Sequence, residues 1–500
     1  MNRLAPNNTY MKWPAALLML GVVLTAAPPL EAAEPQASVR VFDPPEPVEG
    51  PSRTGFVPPP GDFSHLKARS PRSLLDLPER FDWRDQGVIT EVGDQGNCGC
   101  CYAFAAVSNL ESAILIDGGP LFDFSVNNVK ECDWWAINYG LGSCNGGNGS
   151  MVASFLSQKG TVHEACDPFD PRNVICKEGC PYILTLTGWL QISGDEQAPV
   201  PTMKDYIYNY GPLFSAIIVT KPSGWRNEFS AYDGSYVLEY DEHDPSDLED
   251  HAVMIVGWDD TLSHAGGQGA WIVKNSWGTD WGEEGFFYIA YGSAHIGTYV
   301  STAYEWQAYD YDGVVFFHDD AGFMGTSLGY GTTTGWALAK YVPDEAVRLE
   351  RVEFWTTDAA TDVDVYIYDG FNGTSLMGKL AEETDIEIEA YGYHSVELSS
   401  PVDVSATNDF YVVVKITNDS YEFPIALDNY GPTSPGDCFV STNGSTWTDV
   451  TDVAGCTACA VSDVCVRARG SRLTSTSVIR VPGMYSTIEE GLAAADPGDT

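Results

Sequence analysis

Residues 79–305 are predicted to form an α+β domain, and residues 306–470 are predicted to form an antiparallel β-sandwich. In the first region, segments with helical periodicity alternate with strand-like runs and glycine-rich turns. In the second region, most runs have the two-residue period of strands and are separated by Gly, Asn and Asp turns. This period is seen at Val352, Phe354 and Thr356, at Val363, Val365 and Ile367, and at Phe410, Val412, Val414 and Ile416. Antiparallel sheets with one buried face produce this pattern.

The composition limits the classes of function. The chain has 500 residues, 44% of them apolar, which is enough for about three domains at roughly 150 residues each. Its 26 Lys and Arg residues stand against 70 Asp and Glu residues, for a net charge of −44. Nucleic-acid partners are not expected, because phosphate contacts need a basic face. Anionic membrane surfaces would repel the chain as well.

A short apolar run near the N-terminus predicts export. Ala15–Ala27 follows the basic residues Arg3 and Lys12, and its 13 residues are too few to span a bilayer. Residues 1–33 are therefore predicted to be a signal peptide. The alternative is an uncleaved membrane anchor. Since no later segment is long and apolar enough to span, we expect a secreted or cell-surface protein, not an integral membrane protein.

Two further segments differ in composition and residue pattern from the main domains. Residues 34–78 are rich in proline and have no helical or strand period, which predicts an extended linker or propeptide. Residues 471–500 contain a strand and turn followed by a capping box at Ser486 and Glu489. One strand and one helix cannot bury a core alone. This last segment is similar to the opening of right-handed parallel β-helix domains, so we expect the chain to be the front part of a longer protein.

The candidate chemistry centres on Cys101. This residue opens a segment in which Phe104, Val107, Leu110 and Ile114 share one helical face. A thiol at a helix N-terminus lies at the positive end of the helix dipole, which favours the thiolate. A downstream histidine, His251, could exchange the proton, and the Asn275 side chain could fix the imidazole tautomer. Gln95 lies close enough in sequence to offer an oxyanion donor beside the Cys101 N–H.

These residues resemble the papain-like cysteine proteases. The family signature C-G-[SA]-C-[WY] is matched by Cys98–Tyr102, apart from Cys100, which stands where Ser or Ala is usual. His251 follows Cys101 by 251 − 101 = 150 residues, and Asn275 follows His251 by 275 − 251 = 24. The resemblance implies a two-lobed fold with a helical left lobe and a barrel-like right lobe. It also implies polypeptide substrates, with Gln95, Cys101, His251 and Asn275 as the catalytic set and no metal or organic cofactor.

The same resemblance implies roles for residues around the cleft. Gly146 and Gly147 would bind the substrate backbone, although a plain turn is the alternative. Trp277 would shield the histidine–asparagine hydrogen bond. Asp250 ends a run of six carboxylates, which either forms a solvated loop or favours basic substrates: Asp241, Glu242, Asp244, Asp247, Glu249 and Asp250. Short N-terminal regions of bacterial and archaeal relatives resemble residues 34–78, so Gly55–Pro60 could lie in the cleft before activation, with cleavage between Leu66 and Leu77.

The cysteine count predicts one thiol besides the nucleophile. The protease region holds eight cysteines: Cys98, Cys100, Cys101, Cys132, Cys144, Cys166, Cys176 and Cys180. Setting Cys101 aside leaves seven, and Cys100 is the best candidate for the unpaired one. Cys100 is either a small buried filler or half of a strained bridge to Cys101 that would act as a redox switch. The family resemblance implies a Cys98–Cys144 disulfide and pairs Cys132 with Cys166, Cys176 or Cys180, the remaining two pairing together.

The β-sandwich resembles the lectin-like domain of some prokaryotic cell-surface cysteine proteases. This implies a cell-envelope or carbohydrate ligand, although no residue points to sugar binding. Six aspartates of this domain could supply oxygen ligands for Ca²⁺: Asp310, Asp312, Asp319, Asp320, Asp362 and Asp364. Because EF-hand spacing is absent, a solvated acidic face is the better prediction. Cys438, Cys456, Cys459 and Cys465 could form two disulfides. Two alternatives to a peptidase are a catalytically silent adhesin and a Cys-His acyl transferase.

Overall fold

The computed structural model describes residues 37–42, 46–47, 52–66, 77–241 and 247–473. The predicted signal peptide lies outside the described residues, as does the predicted β-helix start from residue 474 onwards. We call the described residues between 37 and 66 the leader. Its one strand is β1 (Ser38–Arg40).

The helical half of the α+β domain is built around one central helix. The α-helices of the described residues are α1 (Cys101–Ile116), α2 (Val126–Cys132), α3 (Trp134–Asn138), α4 (Gly149–Gln158), α5 (Val200–Tyr210) and α6 (Ser223–Ser230). In α1 nearly every face is buried, including Tyr102, Leu110 and Ile114, so it is a core helix and not an amphipathic surface helix. In α4 the Asn148 side chain accepts a hydrogen bond from the Met151 N–H, which caps the helix N-terminus.

The β half of this domain is an antiparallel sheet. Its strands are β2 (Arg80–Asp82), β3 (Thr161–Val162), β4 (Tyr182–Gln191), β5 (Leu213–Ile217), β6 (His251–His264), β7 (Gly267–Lys274), β8 (Phe286–Ala290) and β9 (Thr298–Ala308). The order across the sheet is β4-β9-β5-β6-β7-β8. Trp258, Trp271 and Phe287 pack with aliphatic side chains on one face and are fully buried. The β5–β6 register places Ile217 opposite His251, so the histidine opens its strand at the sheet border.

The remaining strands form a β-sandwich. They are β10 (Gly313–Phe316), β11 (Ser327–Gly329), β12 (Thr334–Tyr341), β13 (Val347–Thr356), β14 (Thr361–Phe371), β15 (Leu376–Ile388), β16 (Tyr391–Val404), β17 (Phe410–Asn418), β18 (Ile425–Asp428), β19 (Cys438–Ser441), β20 (Thr448–Asp449), β21 (Asp463–Val464) and β22 (Val466–Arg472). One sheet has the order β15-β14-β17-β12-β19-β20. The facing strands β10-β22-β13-β16 and the small sheet β1-β11-β18-β21 complete the sandwich core. Short 3₁₀ turns occur at Trp83–Gln86, Ser293–His295, Val450–Asp452 and Ala458–Val461.

The two domains share one continuous sheet. Strand β16 pairs with β4 through Tyr391–Gln191, Gly392–Leu190 and Tyr393–Trp189. Arg467 of β22 is fully buried, makes a salt bridge with Asp319, and donates to the Ser157 Oγ atom of α4 over 2.9 Å. Because the buried Arg467 pairs with Asp319 and also hydrogen-bonds to α4, it fixes the position of the sandwich relative to the α+β domain. Asp319 is therefore not part of a solvated acidic face as expected, because its carboxylate neutralises a buried guanidinium.

The predicted fold class is confirmed: an α+β domain with helical and β lobes precedes an antiparallel β-sandwich. The cysteines of the sandwich differ from the expectation. Cys456 and Cys459 form a disulfide, whereas Cys438 and Cys465 are buried free thiols. With one bridge closing a four-residue loop, the sandwich relies on its apolar core instead of on the expected second disulfide.

Candidate active site

Cys101 is the first residue of α1 and is completely buried. Its Sγ atom accepts a hydrogen bond from the Ala252 N–H over 3.3 Å. Because Ala252 follows His251 in β6, this contact brings the helix N-terminus and the start of β6 together across the two lobes. The first N–H groups of a helix have no intrahelical acceptor, so the Cys101 N–H is available to an external one.

His251 is held by the asparagine predicted to orient it. The Nε2 atom lies 2.8 Å from the Asn275 Oδ1 atom, just beyond the end of β7. The Nδ1 atom is buried and has no hydrogen-bond partner among the described residues. If Nε2 carries the proton that Asn275 accepts, Nδ1 presents a lone pair for a second proton. The centroid of the Trp277 ring lies 5.3 Å from that of the imidazole, with the two ring planes at 43° to each other.

Gln95 lies in a loop that is tied to the strand end carrying Asn275. The Gln95 N–H donates to the Ser276 carbonyl over 2.9 Å, and the Gln95 Oε1 atom accepts from the Ser276 hydroxyl over 2.6 Å. One Nε2 hydrogen is donated to the Cys98 carbonyl over 2.7 Å. An amide nitrogen carries two hydrogens. Among the described residues, the second Nε2 hydrogen has no acceptor within hydrogen-bonding distance.

Burial keeps both titratable groups of the site neutral. It raises the pKa of the Cys101 thiol to about 12, a rise that the hydrogen bonds from the Ala252 and Gly55 N–H groups oppose. Burial also lowers the pKa of His251 to about 4, against the effect of the Asn275 hydrogen bond. At neutral pH, this conformation therefore holds a thiol and an imidazole, not a thiolate–imidazolium pair.

The leader causes this burial because it runs through the cleft. The Val57 N–H donates to the Gly147 carbonyl, and the Gly147 N–H donates to the Gly55 carbonyl, each over 3.0 Å. The Phe56 N–H donates to the Asp250 carbonyl over 3.0 Å. The Phe56–Gly147 bridge is parallel. The Gly55 N–H donates a hydrogen bond to the Cys101 thiol. The leader therefore places a hydrogen-bond donor next to the sulfur, and not a carbonyl carbon that the sulfur could attack.

The predicted substrate-binding residues differ in their hydrogen bonds to the leader. Gly147 uses both of its main-chain groups on it, and a Cβ there would lie 2.7 Å from the Tyr102 ring. The Gly146 carbonyl instead accepts from the Gly142 N–H within its own loop. Asp250 contacts the leader only through its carbonyl, since its carboxylate accepts the N–H groups of Val219 and Thr220. The Trp277 Nε1–H donates to the Arg53 carbonyl over 3.0 Å.

The acidic run before His251 is not one uniform face. Asp241 is exposed, Asp247 is half-buried, and Glu249 is buried against His295 at 2.8 Å. Glu242 and Asp244 lie outside the described residues. Asp250 directly precedes His251, and its charge raises the pKa of the Cys101 thiol.

The cysteines around the cleft form three disulfides. The structure pairs Cys98 with Cys144, Cys132 with Cys176, and Cys166 with Cys180. Cys100 and Cys101 are both free and buried, without a bridge between them. The Cys98–Cys144 bridge fixes the loop before α1 to the loop that carries Gly147.

Sequence reasoning missed two aromatic residues that receive the leader. The Phe56 ring packs against Phe214 at 6.1 Å and Tyr299 at 5.3 Å, and it is 3% exposed. Tyr299 has a φ of 47°, a backbone conformation that costs energy in a residue other than glycine. Nothing in the local sequence marks either residue, since each lies in an ordinary strand pattern far from the motifs.

Both domains match known protein families. The family model described as papain family cysteine protease matches residues 77–306, and the one described as lectin-like domain matches residues 315–468. Human cathepsin O is 33% identical over 244 residues, covering 48% of this chain and 70% of the relative. Mouse procathepsin L is 30% identical over 219 residues, covering 43% of this chain and 61% of the relative.

A solved structure extends the likeness to both domains. The cysteine protease and lectin-like domains of Cwp84, a surface-layer-associated protein of Clostridium difficile, match with a TM-score of 0.70 at 18% identity. The match covers 88% of this chain and 99% of that one, which shows a shared two-domain fold.

No helix of the described residues is long and apolar enough to cross a membrane. Within the same residues, no group of three or more His, Cys, Asp or Glu side chains is arranged to hold a metal ion.

Proposed function

The chain belongs to the papain family of cysteine proteases, and from that premise we propose that it is a secreted endopeptidase with Cys101 as its nucleophile. The observation that carries the proposal is the 2.8 Å contact between His251 Nε2 and Asn275 Oδ1, which leaves Nδ1 unpartnered beside the residue whose N–H contacts Cys101. A nucleophile, a base and a group orienting the base are the parts that acyl transfer through a covalent intermediate needs.

In the proposed reaction, His251 Nδ1 takes the thiol proton and Cys101 Sγ attacks the carbonyl carbon of the scissile peptide bond. The oxyanion accepts hydrogen bonds from the Cys101 N–H and from the second Nε2 hydrogen of Gln95. The imidazolium then gives its proton to the leaving amine as the C–N bond breaks, which leaves a thioester on Cys101. Water, deprotonated by His251, hydrolyses the thioester and releases the acid and the free thiol.

We assign the leader the role of a propeptide that keeps this site inactive. It offers Cys101 an N–H instead of a carbonyl carbon, and its burial of both groups opposes formation of the ion pair. Cleavage between Leu66 and Leu77, followed by release of the leader, would expose the cleft to water and to substrate. Gly147 and the Asp250 carbonyl would then be free to hydrogen-bond an extended substrate chain.

The proposed organisation follows the sequence boundaries. Residues 1–33 direct export, residues 34–78 are the propeptide, and residues 79–305 form the peptidase domain. Residues 306–470 form a lectin-like binding domain that attaches the enzyme to a cell envelope, a polysaccharide or another protein. The mature chain would act outside the cell on polypeptide substrates.

The test compares single thiol variants of the full chain. A site-specific protease sequence replaces part of the stretch between Leu66 and Leu77, the leader is cut and removed, and casein is incubated under reducing conditions. We expect cleavage by the parent and by Cys100→Ala, the matched control on the adjacent thiol, but none by Cys101→Ala. Mass spectrometry of the products separates hydrolysis, which creates new N-termini, from acyl transfer, which creates cross-links. Equal cleavage by Cys101→Ala would contradict the proposal.

A further inference from the structure

The leader contacts the β-sandwich on both sides of the cleft segment. Its first arm, residues 37–42, and its last arm, residues 61–66, both lie against the sandwich or its junction with the α+β domain. Between them, residues 52–58 occupy the catalytic cleft. The cleft contacts alone would account for inhibition, so the two arms require a separate explanation.

The first arm adds a strand to the sandwich. Strand β1 pairs antiparallel with β11, joining Ser38 to Gly329 and Arg40 to Ser327. Val39 packs on the sandwich core. The Tyr430 hydroxyl also donates to the Phe42 carbonyl over 2.8 Å. Strand addition to a sheet edge is a general mode of peptide recognition, in which main-chain bonds supply affinity.

Both arms converge on one aromatic ring of the sandwich, that of Tyr421. The Arg40 guanidinium lies 5.5 Å from the Tyr421 ring centroid. The His65 ring stacks on Tyr421 with centroids 3.7 Å apart and planes 6° from parallel, and its Nε2 atom lies 2.8 Å from the Thr357 carbonyl. A salt bridge between Arg40 and Asp62 links the two arms.

The remaining contact of the last arm lies at the domain junction. Phe63 is 4% exposed and meets Tyr299 of the α+β domain and Tyr391 of the sandwich edge-on, at 6.0 and 5.8 Å. A Cβ on Gly194 would overlap the Phe63 Cβ position at 1.9 Å, so the chain approaches as closely as a glycine permits. The last arm thus fills a built pocket and does not rest on an open surface.

We propose that the lectin-like domain is a peptide-binding domain whose ligand is the leader. The surface formed by the β11 edge, Tyr421 and Thr357 retains the leader after the chain is cut between Leu66 and Leu77. Segments joined by one chain reinforce each other, because binding of one raises the effective concentration of the next. The cut leader therefore stays bound as a multi-site inhibitor, and the sandwich sets how fast it leaves. The inference rests on the proposed function only for the assumption that the leader is a propeptide.

The experiment measures release of the cut leader and does not need enzymatic activity. The full chain carries Cys101→Ala, a site-specific protease sequence between Leu66 and Leu77, and a C-terminal tag for immobilisation. After cutting, the resin is washed, and mass spectrometry quantifies the leader that remains bound over time. The variants are Tyr421→Ala on the sandwich and Arg40→Gln on the leader. The matched control is Tyr368→Ala, a half-buried tyrosine on β14 in the opposite sheet.

We expect the parent and Tyr368→Ala to retain the leader, and Tyr421→Ala and Arg40→Gln to release it at least about tenfold faster, equivalent to about 1.4 kcal/mol. If Tyr421→Ala fails to fold, Arg40→Gln still tests the same contact with the sandwich unaltered. Equal release rates in all four chains, or loss of the leader from the parent in the first wash, would overturn the proposal. A failure of the proposed peptidase function would instead appear as uncleaved casein and would not change these release rates.

Discussion

The His251 Nε2 atom lies 2.8 Å from the Asn275 Oδ1 atom, and the Trp277 ring lies 5.3 Å from the imidazole ring. Asn275 also accepts the Ser276 N–H at its Oδ1 atom over 2.8 Å, which fixes the amide orientation. The ring of His251 is therefore held in one rotamer by its neighbours and not by the substrate. In the proposed mechanism, this hydrogen bond determines which ring nitrogen can take the thiol proton.

Removing the Asn275 amide should slow the proposed reaction without abolishing it. In Asn275→Ala the imidazole loses its orienting acceptor but keeps its basicity, so we expect kcat/KM to fall about tenfold to a hundredfold. Hydrolysis of a fluorogenic peptide by the variant, after its leader has been cut and removed, measures this loss. Asn227→Ala, on the surface helix α6, serves as the control. An unchanged kcat/KM in Asn275→Ala would contradict the orienting role.

The pH dependence of thiol alkylation should differ between uncut and cut chains. With a pKa of about 12, the leader-covered thiol is ionised to only about one part in 10⁵ at pH 7, and its thiolate fraction rises about tenfold per pH unit. We therefore expect slow iodoacetamide labelling of Cys101 in the uncut chain, accelerating from pH 7 to pH 9. After cutting and removal of the leader, labelling should be fast at pH 7. The thiol is then exposed to water and can transfer its proton to His251. Peptide mapping assigns the label, and equal rates at pH 7 would contradict the account.

The Phe56 ring should contribute much of the free energy with which the leader binds the cleft. Truncating a buried aromatic side chain costs about 3–5 kcal/mol in a protein core, and Phe56 is 3% exposed between the two lobes. In the uncut chain, Phe56→Ala should raise hydrolysis of a small fluorogenic peptide at least about tenfold above the uncut parent. Val41→Ala, at an exposed position of the leader, should leave it unchanged. The account fails if both variants hydrolyse the peptide no faster than the uncut parent.

The salt bridge between Arg467 and Asp319 should be costly to break from one side. Both side chains are fully buried, so Arg467→Met leaves an unpaired buried carboxylate and should reduce the free energy of unfolding by about 3–5 kcal/mol. Replacing both groups, as in Arg467→Met with Asp319→Leu, should recover most of the loss. Urea unfolding midpoints of the single and double variants measure the coupling. Additive losses would show that the pair is not coupled.

The fold class could be predicted from local patterns because helical and strand periodicity depend on residues that are close together in the sequence. Helical spacing after Cys101 indicates α1, and the period-two run from Phe410 to Ile416 indicates a half-buried strand, which the structure places in β17. The positions of His251 and Asn275 on adjoining strands could be anticipated only through the family resemblance. Spacing along the chain alone does not determine which strand ends meet.

The features that sequence did not reveal all depend on contacts between distant segments. Nothing around Asp319 distinguishes it from the exposed aspartates nearby, since its partner Arg467 lies 148 residues away. The pairing of β1 with β11 joins residues almost 300 positions apart, and a three-residue strand carries too little pattern to be recognised. For the same reason, the sequence of the leader did not predict that residues 37–42 and 61–66 pack against the sandwich or its junction with the α+β domain.

The central claim is that Cys101 forms a thioester with the acyl half of its substrate. The most direct measurement uses the chain after its leader has been cut and removed. It mixes this chain with an activated peptide ester, quenches the reaction in acid within milliseconds, and determines the intact mass and the modified residue. We predict one acyl group per chain, located on Cys101 and absent from Cys101→Ala, with a matching burst of released alcohol. An unmodified chain that still turns over the ester, or an acyl group on another residue, would contradict the claim.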